Sequence, residues 1–398
     1  DQRRAALLPQ RGLGQLRCAC PLTPRPVSLR RGNPPVINVD LRAVWRVRSG
    51  KVERELDQML ITLLDGLGQS GKLTHSARAT GISYRHAWNL IERWGAFLGA
   101  PLVVMQRGKG TRLTPLGERL LWAGRRVQSR LAPELDGLAS DFARNVNDAL
   151  GGRDTTLVVH ASHDFAVALL RERLAADSVE MDLQSRGSFD ALASLMRGDC
   201  AVAGFHVADG PLGPLMSRRY AEGLAGHDIR LMPLATRSQG LIVARGNPKR
   251  IGSVADLARG GVRIVNRQRG SGTRALLEFL LSQAGIDRES LCGYENEEIT
   301  HSAVAALVAG RQADAGFGLE AAAARFGLGF VPVATERYWL ALDGGSLSHE
   351  KVRALLDAAG DARFRAAVDA LPGYRAIADA SLLEATVALA APETAATL

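Results

Sequence analysis

Apolar positions follow two different rhythms along the chain, and the change comes near residue 150. Before it, apolar residues recur every three or four positions, which is the spacing of one face of an α-helix. After it, short apolar runs alternate with helical segments, which is typical of a sheet covered by helices. With 398 residues, the chain has room for two or three domains.

A helix, a glycine turn and a second helix are predicted between residues 73 and 99. Thr74 is the expected N-cap of a short helix from His75 to Thr80, and Gly81 follows because glycine adopts a positive φ without a steric penalty. Ser83 is the expected N-cap of the second helix. The buried face of that helix is predicted to hold Ala87, Leu90, Ile91, Trp94 and Leu98.

The segments around this pair complete a winged helix-turn-helix pattern. Strands are expected at 103–105 and 111–113, joined by a flexible basic tip, with a strand within 37–47 and a helix over 53–67 upstream. A long helix is expected from Pro115 to about Val146, with a kink or break at Pro133 because proline lacks the N–H that a helix needs. Its predicted apolar stripe comprises Leu120, Leu121, Val127, Leu131, Leu135, Leu138 and Phe142.

The polar face of the second helix indicates duplex DNA as a partner. A recognition helix inserts its N-terminal residues into the major groove, where Asn89 can read adenine and Arg85 can read guanine or hold a phosphate. The basic tip suits phosphate or minor-groove contacts. The candidate DNA-binding residues are Ser83, Tyr84, Arg85, His86, Asn89, Arg93, Arg107, Lys109 and Arg112. The alternative is an ordinary helical hairpin with a solvated polar face.

The second half predicts two α/β lobes, over about 155–235 and 245–335. Strands are expected at 157–162, 181–188 and 201–207 in the first lobe, and at 262–266, 315–318 and 330–334 in the second. Helices are expected between them, which calls for parallel strands. Residues 338–342 are expected to cross back to the first lobe, so that 340–398 packs there.

One loop of the second lobe has the chemistry of an anion site. Its glycines expose backbone N–H groups, its hydroxyls donate, and the N-terminus of the next helix adds partial positive charge. Ligands of such folds lie at the carboxyl ends of strands. The candidate ligand-binding residues are Ser162, His163, Ser188, Arg267, Arg269, Gly270, Ser271, Gly272, Thr273, Thr300 and His301. The alternative is a structural turn with capping side chains, and the histidines suit caps or cleft positions better than a metal site.

Charge is concentrated in the half that carries the helix-turn-helix pattern. Residues 1–50 hold 10 Lys/Arg against 2 Asp/Glu, residues 51–150 hold 14 against 10, and the whole chain has a net charge of +9. A polyanionic partner favours this distribution. Residues 1–50, rich in Arg and Pro, are interpreted as a disordered basic arm or a misassigned start. The 4 cysteines predict neither a disulfide scaffold nor a zinc site, and the absence of a long apolar run predicts no membrane span.

The N-terminal pattern resembles the DNA-binding domain of LysR-type regulators, and more closely that of molybdate-responsive ModE-type regulators. The resemblance covers about residues 56–125. It implies a DNA-binding domain over 51–113 and a linker helix over 114–150 that pairs two subunits. The matching residues are Ala77, Ala79, Ser83, Ala87, Trp88, Ile91, Glu92, Leu98, Gly99, Pro101, Leu102, Leu113, Thr114, Pro115, Gly117 and Leu121.

The second half resembles the type 2 periplasmic-binding-protein-like (PBP-like) sensor domain that occurs fused to helix-turn-helix domains. The domain would span 155–398, with its ligand between the lobes. The segment from Arg269 to Thr273 is also similar to the "RGD-SGT" loop of tungstate- and molybdate-binding proteins, although the Asp of that loop has no counterpart here. The mixed fold class is therefore an α-rich winged helix-turn-helix followed by a two-lobed α/β domain.

These observations predict a cytoplasmic, homodimeric, ligand-responsive transcription regulator rather than an enzyme. Ser162, His163 and Asp164 are sequence neighbours and cannot form a catalytic relay together, and no nucleotide-binding or nucleophile-elbow motif is present. The resemblance implies molybdate or tungstate as effector, with an organic carboxylate or a pterin-related phosphate as alternatives, and no cofactor. The alternative function is an anion-binding or carrier module whose N-terminal half only dimerises.

Overall fold

The computed structural model describes residues 37, 39–106, 110–150 and 156–390. Residues 1–36 of the predicted arm and the tip of the predicted wing, with Arg107 and Lys109, lie outside the described residues. The described part of the arm includes the strand β1 (Trp45–Ser49), which pairs antiparallel with β2 (Val52–Leu56). The predicted boundary between the arm and the DNA-binding domain, at residue 50, therefore falls in the turn between β1 and β2.

Three helices and a second hairpin follow the first. They are α1 (Gln58–Ser70), α2 (Leu73–Ala79), α3 (Tyr84–Leu98), β3 (Val103–Gln106) and β4 (Gly110–Leu113). The helix expected over 53–67 begins later, because the Asp57 side chain accepts a hydrogen bond from the Met59 N–H (2.8 Å) and caps α1 there. The expected N-cap Thr74 lies inside α2, since Lys72 is the last extended residue before that helix.

The core of this N-terminal part lies between the apolar faces of α1 and α3. Leu60 and Leu64 of α1 are fully buried and belong to one cluster with Leu90 and Trp94 of α3. The predicted face of α3 is confirmed, although Leu98 at its end is only half-buried. The opposite face of α3 consequently points to solvent.

A kink or a break was predicted at Pro133, and the break is wrong because the long helix α4 (Pro115–Ala149) continues through this residue. Pro133 cannot donate to the carbonyl four residues earlier, which is that of Ser129. The Thr300 hydroxyl donates to this carbonyl instead (3.0 Å). A side chain of the C-terminal half thus satisfies the acceptor that the proline leaves unpaired, and the helix continues without a break.

The C-terminal half forms one mixed sheet covered by helices. Its elements up to the second lobe are β5 (Thr156–Ala161), α5 (Phe165–Ala176), β6 (Glu180–Ser185), α6 (Ser188–Arg197), β7 (Val202–Ala208), α7 (Gly213–Leu224) and β8 (Ile229–Val243). The remaining elements are β9 (Ile264–Arg267), α8 (Gly272–Gln283), β10 (Glu297–Glu298), α9 (His301–Ala309), β11 (Ala315–Leu319), α10 (Glu320–Arg325), β12 (Gly329–Asp343), α11 (Glu350–Gly360), α12 (Ala362–Asp369), β13 (Tyr374–Ala376), β14 (Leu383–Glu384) and α13 (Ala385–Ala388).

Two long strands join the two lobes. The strand order is β10-β9-β11-β8-β12-β7-β5-β6, with β13 and β14 also paired to β8. β8 and β12 are antiparallel and 15 residues long each, so each runs from one lobe into the other. We call the part with β5–β7 lobe one and the part with β9–β11 lobe two. The predicted mixed fold class with a double crossover is confirmed, although the crossing strands are much longer than residues 338–342.

No helix among the described residues is both long and apolar enough to span a membrane.

Candidate functional site

The exposed surface of α3, which we call the α3 face, carries five of the predicted DNA-binding residues. Its members are Tyr84, Arg85, His86, Asn89 and Arg93, all exposed. Ser83 precedes them as the N-cap, and its hydroxyl accepts from the His86 N–H (3.1 Å). Arg112 is exposed on β4. Within the described residues, none of the arginines Arg85, Arg93 and Arg112 has a carboxylate partner, so their charges are available to a ligand.

A cavity of about 170 Å³ lies between the lobes, and we call it the inner cavity. It lies where β5, β7 and β9 end and where α5, α6, α8 and α9 begin. Carboxyl ends of strands and N-termini of helices therefore meet there, which is where ligands bind in α/β folds. Its lining includes Ser162, His163, Arg186, Ser188, His206, Arg237, Arg267, Gln268, Arg269, Gly270, Ser271, Gly272, Thr273 and His301.

Two glycines of the loop between β9 and α8 are required for different reasons. Gly270 has a φ of +82°, a conformation that side chains other than glycine rarely adopt. Gly272 has ordinary backbone geometry, but a Cβ there would overlap His206 Nε2 of lobe one. The lobes therefore approach each other closely at Gly272. Between the two glycines, the Ser271 hydroxyl caps α8 by accepting from the Arg274 N–H (3.2 Å).

Arg267 supplies the buried charge of the inner cavity. Its guanidinium donates to the backbone carbonyls of Glu298 (3.3 Å) and Ile299 (2.8 Å). Within the described residues it has no carboxylate partner. Burial, together with the nearby charge of Arg237, lowers the pKa of Arg267 to about 9. The group is still charged at neutral pH, so an anion would relieve an unfavourable buried cation.

Three histidines present unpaired nitrogens around Arg267, of which His206 and His301 are buried and His163 is half-buried. His206 Nδ1 lies 3.3 Å from the Ser162 hydroxyl and 3.2 Å from the Ser188 hydroxyl. His206 Nε2, His163 Nδ1 and His301 Nδ1 have no hydrogen-bond partner. Burial lowers the pKa of His163 and of His206 to about 4, and it also lowers the pKa of His301. These imidazoles are neutral at pH 7, and each can donate one N–H to an acceptor.

A paired ionic network forms the floor of the inner cavity. Arg237 donates to Asp164 and to Glu336, both at 2.5 Å. The Gln239 amide donates to Glu336 (2.9 Å) and to the Thr273 hydroxyl oxygen (3.0 Å). Burial disfavours the charge on Arg237, but Glu336 and Asp164 outweigh it and raise its pKa. Arg237 is therefore neutralised internally, whereas the Thr273 hydroxyl keeps its hydrogen to donate elsewhere.

Most of the predicted ligand-binding residues come together at the inner cavity. Thr300 does not line it, because its hydroxyl caps α9 and donates to Ser129. Arg269 lines it, but its side chain is 73 % exposed and pairs with Glu295 (2.6 Å). Sequence reasoning missed His206, Arg237 and Glu336. No local signal marks Arg237 or Glu336, because each lies in a polar stretch of its crossing strand, 236–239 of β8 and 335–337 of β12.

Helix α4 contacts both lobes beside this cavity. Arg126 donates to the buried carboxylate of Glu298 in lobe two (2.6 Å). About five turns further along, Arg144 pairs with the buried Asp182 of lobe one (2.8 Å). Glu298 also accepts, through its backbone carbonyl, from Arg267. One residue therefore joins the inner cavity to the helix that leads to the N-terminal part.

No cluster of ligating side chains among the described residues could hold a metal ion.

Comparison with known proteins supports both halves of this description. A PBP superfamily domain matches residues 171–360. Protein YvgK of Bacillus subtilis (strain 168) is 32 % identical over 188 residues, which is 47 % of this chain and 60 % of YvgK. The molybdenum transport protein ModE of Herbaspirillum seropedicae is 37 % identical over 84 residues, which is 20 % of this chain and 31 % of ModE. The chain thus spans less than two thirds of these relatives.

One of the solved structures that the chain matches is DarR of Vibrio fischeri in complex with DNA, a LysR-type (LTTR) protein. Its sequence is 12 % identical, the match covers 77 % of this chain and 99 % of that chain, and the TM-score is 0.40. The chain thus contains a PBP-like domain within residues 171–360, and a shorter part of the chain is similar to ModE.

Proposed function

We propose that this protein is a ligand-responsive transcription regulator that binds duplex DNA through the α3 face. The observation that carries the proposal is the exposed, unpaired set of long polar side chains at the N-terminal end of α3. Recognition helices present such residues to base edges and phosphates. Arg112 and the wing residues Arg107 and Lys109 would add phosphate contacts. A site of action in the cytoplasm goes with this role.

The effector would be a small anion in the inner cavity. Arg267 offers an unbalanced buried charge, the three histidines offer ring nitrogens without a partner, and Thr273 adds a hydroxyl group. Leaving a buried polar group unpaired costs about 1–3 kcal/mol, so an acceptor that reaches several of them binds favourably. Molybdate or tungstate is the first candidate because of the match to ModE, and a small carboxylate is the second.

The partner of α4 would be a second copy of the chain. Leu138 and Phe142 lie one turn apart on α4 and are 58 % and 59 % exposed. Exposed apolar side chains at this spacing are typical of a helix–helix interface. A dimer would place two α3 faces on one stretch of DNA, with half-sites about one helical turn apart or a multiple of it.

Coupling between effector and DNA would run through α4. Because α4 is ion-paired to Glu298 in lobe two and to Asp182 in lobe one, any change in the angle between the lobes must move or strain it. An anion that binds one lobe arrangement better than another then shifts the population of α4 positions.

The test is a gel-shift titration of the full chain with DNA from upstream of its own gene. We expect Arg85→Ala to weaken DNA binding about tenfold or more, since a base or phosphate contact contributes about 1–3 kcal/mol. Binding of molybdate and phosphate, measured by calorimetry, should stay within about twofold of wild type, as expected for a distant and independent site. Arg363→Ala removes another exposed positive charge, from α12, and serves as the matched control.

Unchanged DNA affinity in Arg85→Ala, or an equal loss in Arg363→Ala, would reject the proposed DNA face. Anion binding without any DNA binding by the wild-type chain would instead favour the carrier module.

A further inference from the structure

A second and larger chamber lies beside the inner cavity. Its volume is about 970 Å³, and we call it the outer chamber. Both cavities are lined by Ser188 and by residues 269–272, so the anion loop lies at their junction. The two cavities therefore adjoin at Ser188 and at this loop, next to the place proposed for the acidic end of a ligand.

The lobe-one wall of the outer chamber is apolar although it is accessible. Phe189 at the start of α6 is 45 % exposed and Leu215 on α7 is 53 % exposed. The Phe189 ring lies 4.7 Å from the ring of the buried Tyr220. Exposed apolar side chains that share one concave surface are a feature of ligand pockets rather than of ordinary solvated helices.

The charges of the chamber are unevenly balanced between its walls. On the lobe-two side, Arg274 pairs with Glu278 (2.9 Å) and Arg269 pairs with Glu295 (2.6 Å). On the lobe-one side, Arg219 lies with its guanidinium carbon 4.7 Å from the centre of the Phe189 ring and has no carboxylate partner within the described residues. The apolar wall is thus rimmed by a free positive charge.

We infer that the site also accepts a two-part organic anion and binds it more tightly than a bare oxyanion. An oxyanionic head, carboxylate or phosphate, binds Arg267 and the donors of the inner cavity, and a flat aromatic or apolar body lies against Phe189 and Leu215. Arg219 would contact the outer edge of the body, by stacking or by pairing with a second acidic group. This inference rests on the proposed anion site and specifies what that site recognises.

Two probe pairs that share a head and differ by one phenyl group test the inference on the full chain. They are inorganic phosphate against phenyl phosphate, and acetate against phenylacetate, with molybdate as a further bare anion. In calorimetry, each phenyl probe should bind at least about tenfold more tightly than its partner without the phenyl group, because the aromatic ring is buried on binding. Phe189→Ala should remove most of that gain and leave the affinity for phosphate unchanged. Val387→Ala, an exposed apolar side chain on α13, is the control.

The outcomes separate this inference from the proposed anion site. If phosphate or molybdate binds in an Arg267-dependent manner and neither phenyl probe binds more tightly, the two-part ligand is rejected and the anion site remains. A phenyl gain that Phe189→Ala does not reduce also rejects it, because the body then lies elsewhere. If no probe binds at all, both the inference and the anion site are rejected.

Discussion

The α3 face and the inner cavity both offer positive charge, but in opposite physical settings. Arg85 and Arg93 are exposed and unpaired on one helix, where water already solvates them. Arg267 is buried without a carboxylate among donors that have no partner. The first setting suits a polyanion that makes many weak, salt-dependent contacts. The second suits a small anion that must leave its own water but gains several charge-assisted hydrogen bonds.

This contrast predicts where single substitutions act strongly. On an exposed face each contact contributes little, because screening and side-chain entropy reduce it. In a buried site the loss of one charged donor leaves the ligand's charge poorly compensated. We therefore expect the largest effect in the inner cavity, a moderate effect from its histidines, and the smallest from the helix that links the two sites.

The largest expected effect is that of Arg267→Ala on anion binding. Loss of about 3 kcal/mol, the upper range for a hydrogen bond to a charged group, weakens phosphate or molybdate binding about 100-fold. Arg269→Ala is the matched control in the same loop. Its side chain is largely exposed and already paired with Glu295, so a change of less than about threefold is expected. Calorimetry on both variants decides the comparison.

Equal losses in the two variants would show that the anion recognises the loop as a whole rather than the buried arginine. Arg267→Lys separates charge from geometry, because lysine keeps the charge but cannot donate to Glu298 and Ile299 in a fork.

The two regions were also unequally predictable from the sequence. The α3 face follows from local periodicity, and its buried residues Ala87, Leu90, Ile91 and Trp94 lie as expected. The anion loop between β9 and α8 was recognisable because its glycines and hydroxyls are consecutive. Prediction failed where a partner distant in sequence decides the outcome, as at Pro133, whose helix continues because Thr300 donates to the freed carbonyl.

The crossing strands show the same limit. Arg237 on β8 looks like a solvent-facing residue in the sequence, yet it is fully buried because Asp164 on α5 and Glu336 on β12 compensate its charge. These three residues are up to 172 positions apart. No local pattern relates them, so the floor of the inner cavity becomes visible only in three dimensions.

A moderate effect is expected from pH. Burial lowers the pKa of His163 and His206 to about 4, below the ordinary value of about 6.5. The unfolded chain therefore binds more protons between pH 6.5 and 4, and the stability of the free protein falls as pH falls through that window. An adjacent anion raises these pKa values. Anion binding is then coupled to proton uptake and tightens on acidification.

Sulfate is the appropriate probe because its own charge is constant in this range. We expect about tenfold tighter binding at pH 5 than at pH 8, the result of one histidine gaining about two pKa units in the complex, from about 4 to about 6. Calorimetry in two buffers of different ionisation enthalpy measures the protons taken up. His206→Asn should flatten the dependence, and pH-independent affinity in the wild type would show that the imidazoles do not face the anion.

The smallest expected effect concerns the link between the two regions, at Arg126. Arg126→Ala leaves α3 and the inner cavity intact but removes the close ion pair to Glu298 (2.6 Å), whose backbone carbonyl accepts from Arg267. In the wild type, phosphate is expected to change the DNA affinity by a certain factor. We expect Arg126→Ala to bring this factor about threefold closer to one, which is within the range by which residues between coupled sites change the coupling. DNA affinity without phosphate should change less.

The control for this prediction is Glu134→Ala, which removes an exposed charge from the same helix and should leave unchanged the factor by which phosphate changes the DNA affinity. If Arg126→Ala also leaves it unchanged, the contact at Glu298 only anchors α4, and the pair between Arg144 and Asp182 in lobe one becomes the remaining route to test by the same assay.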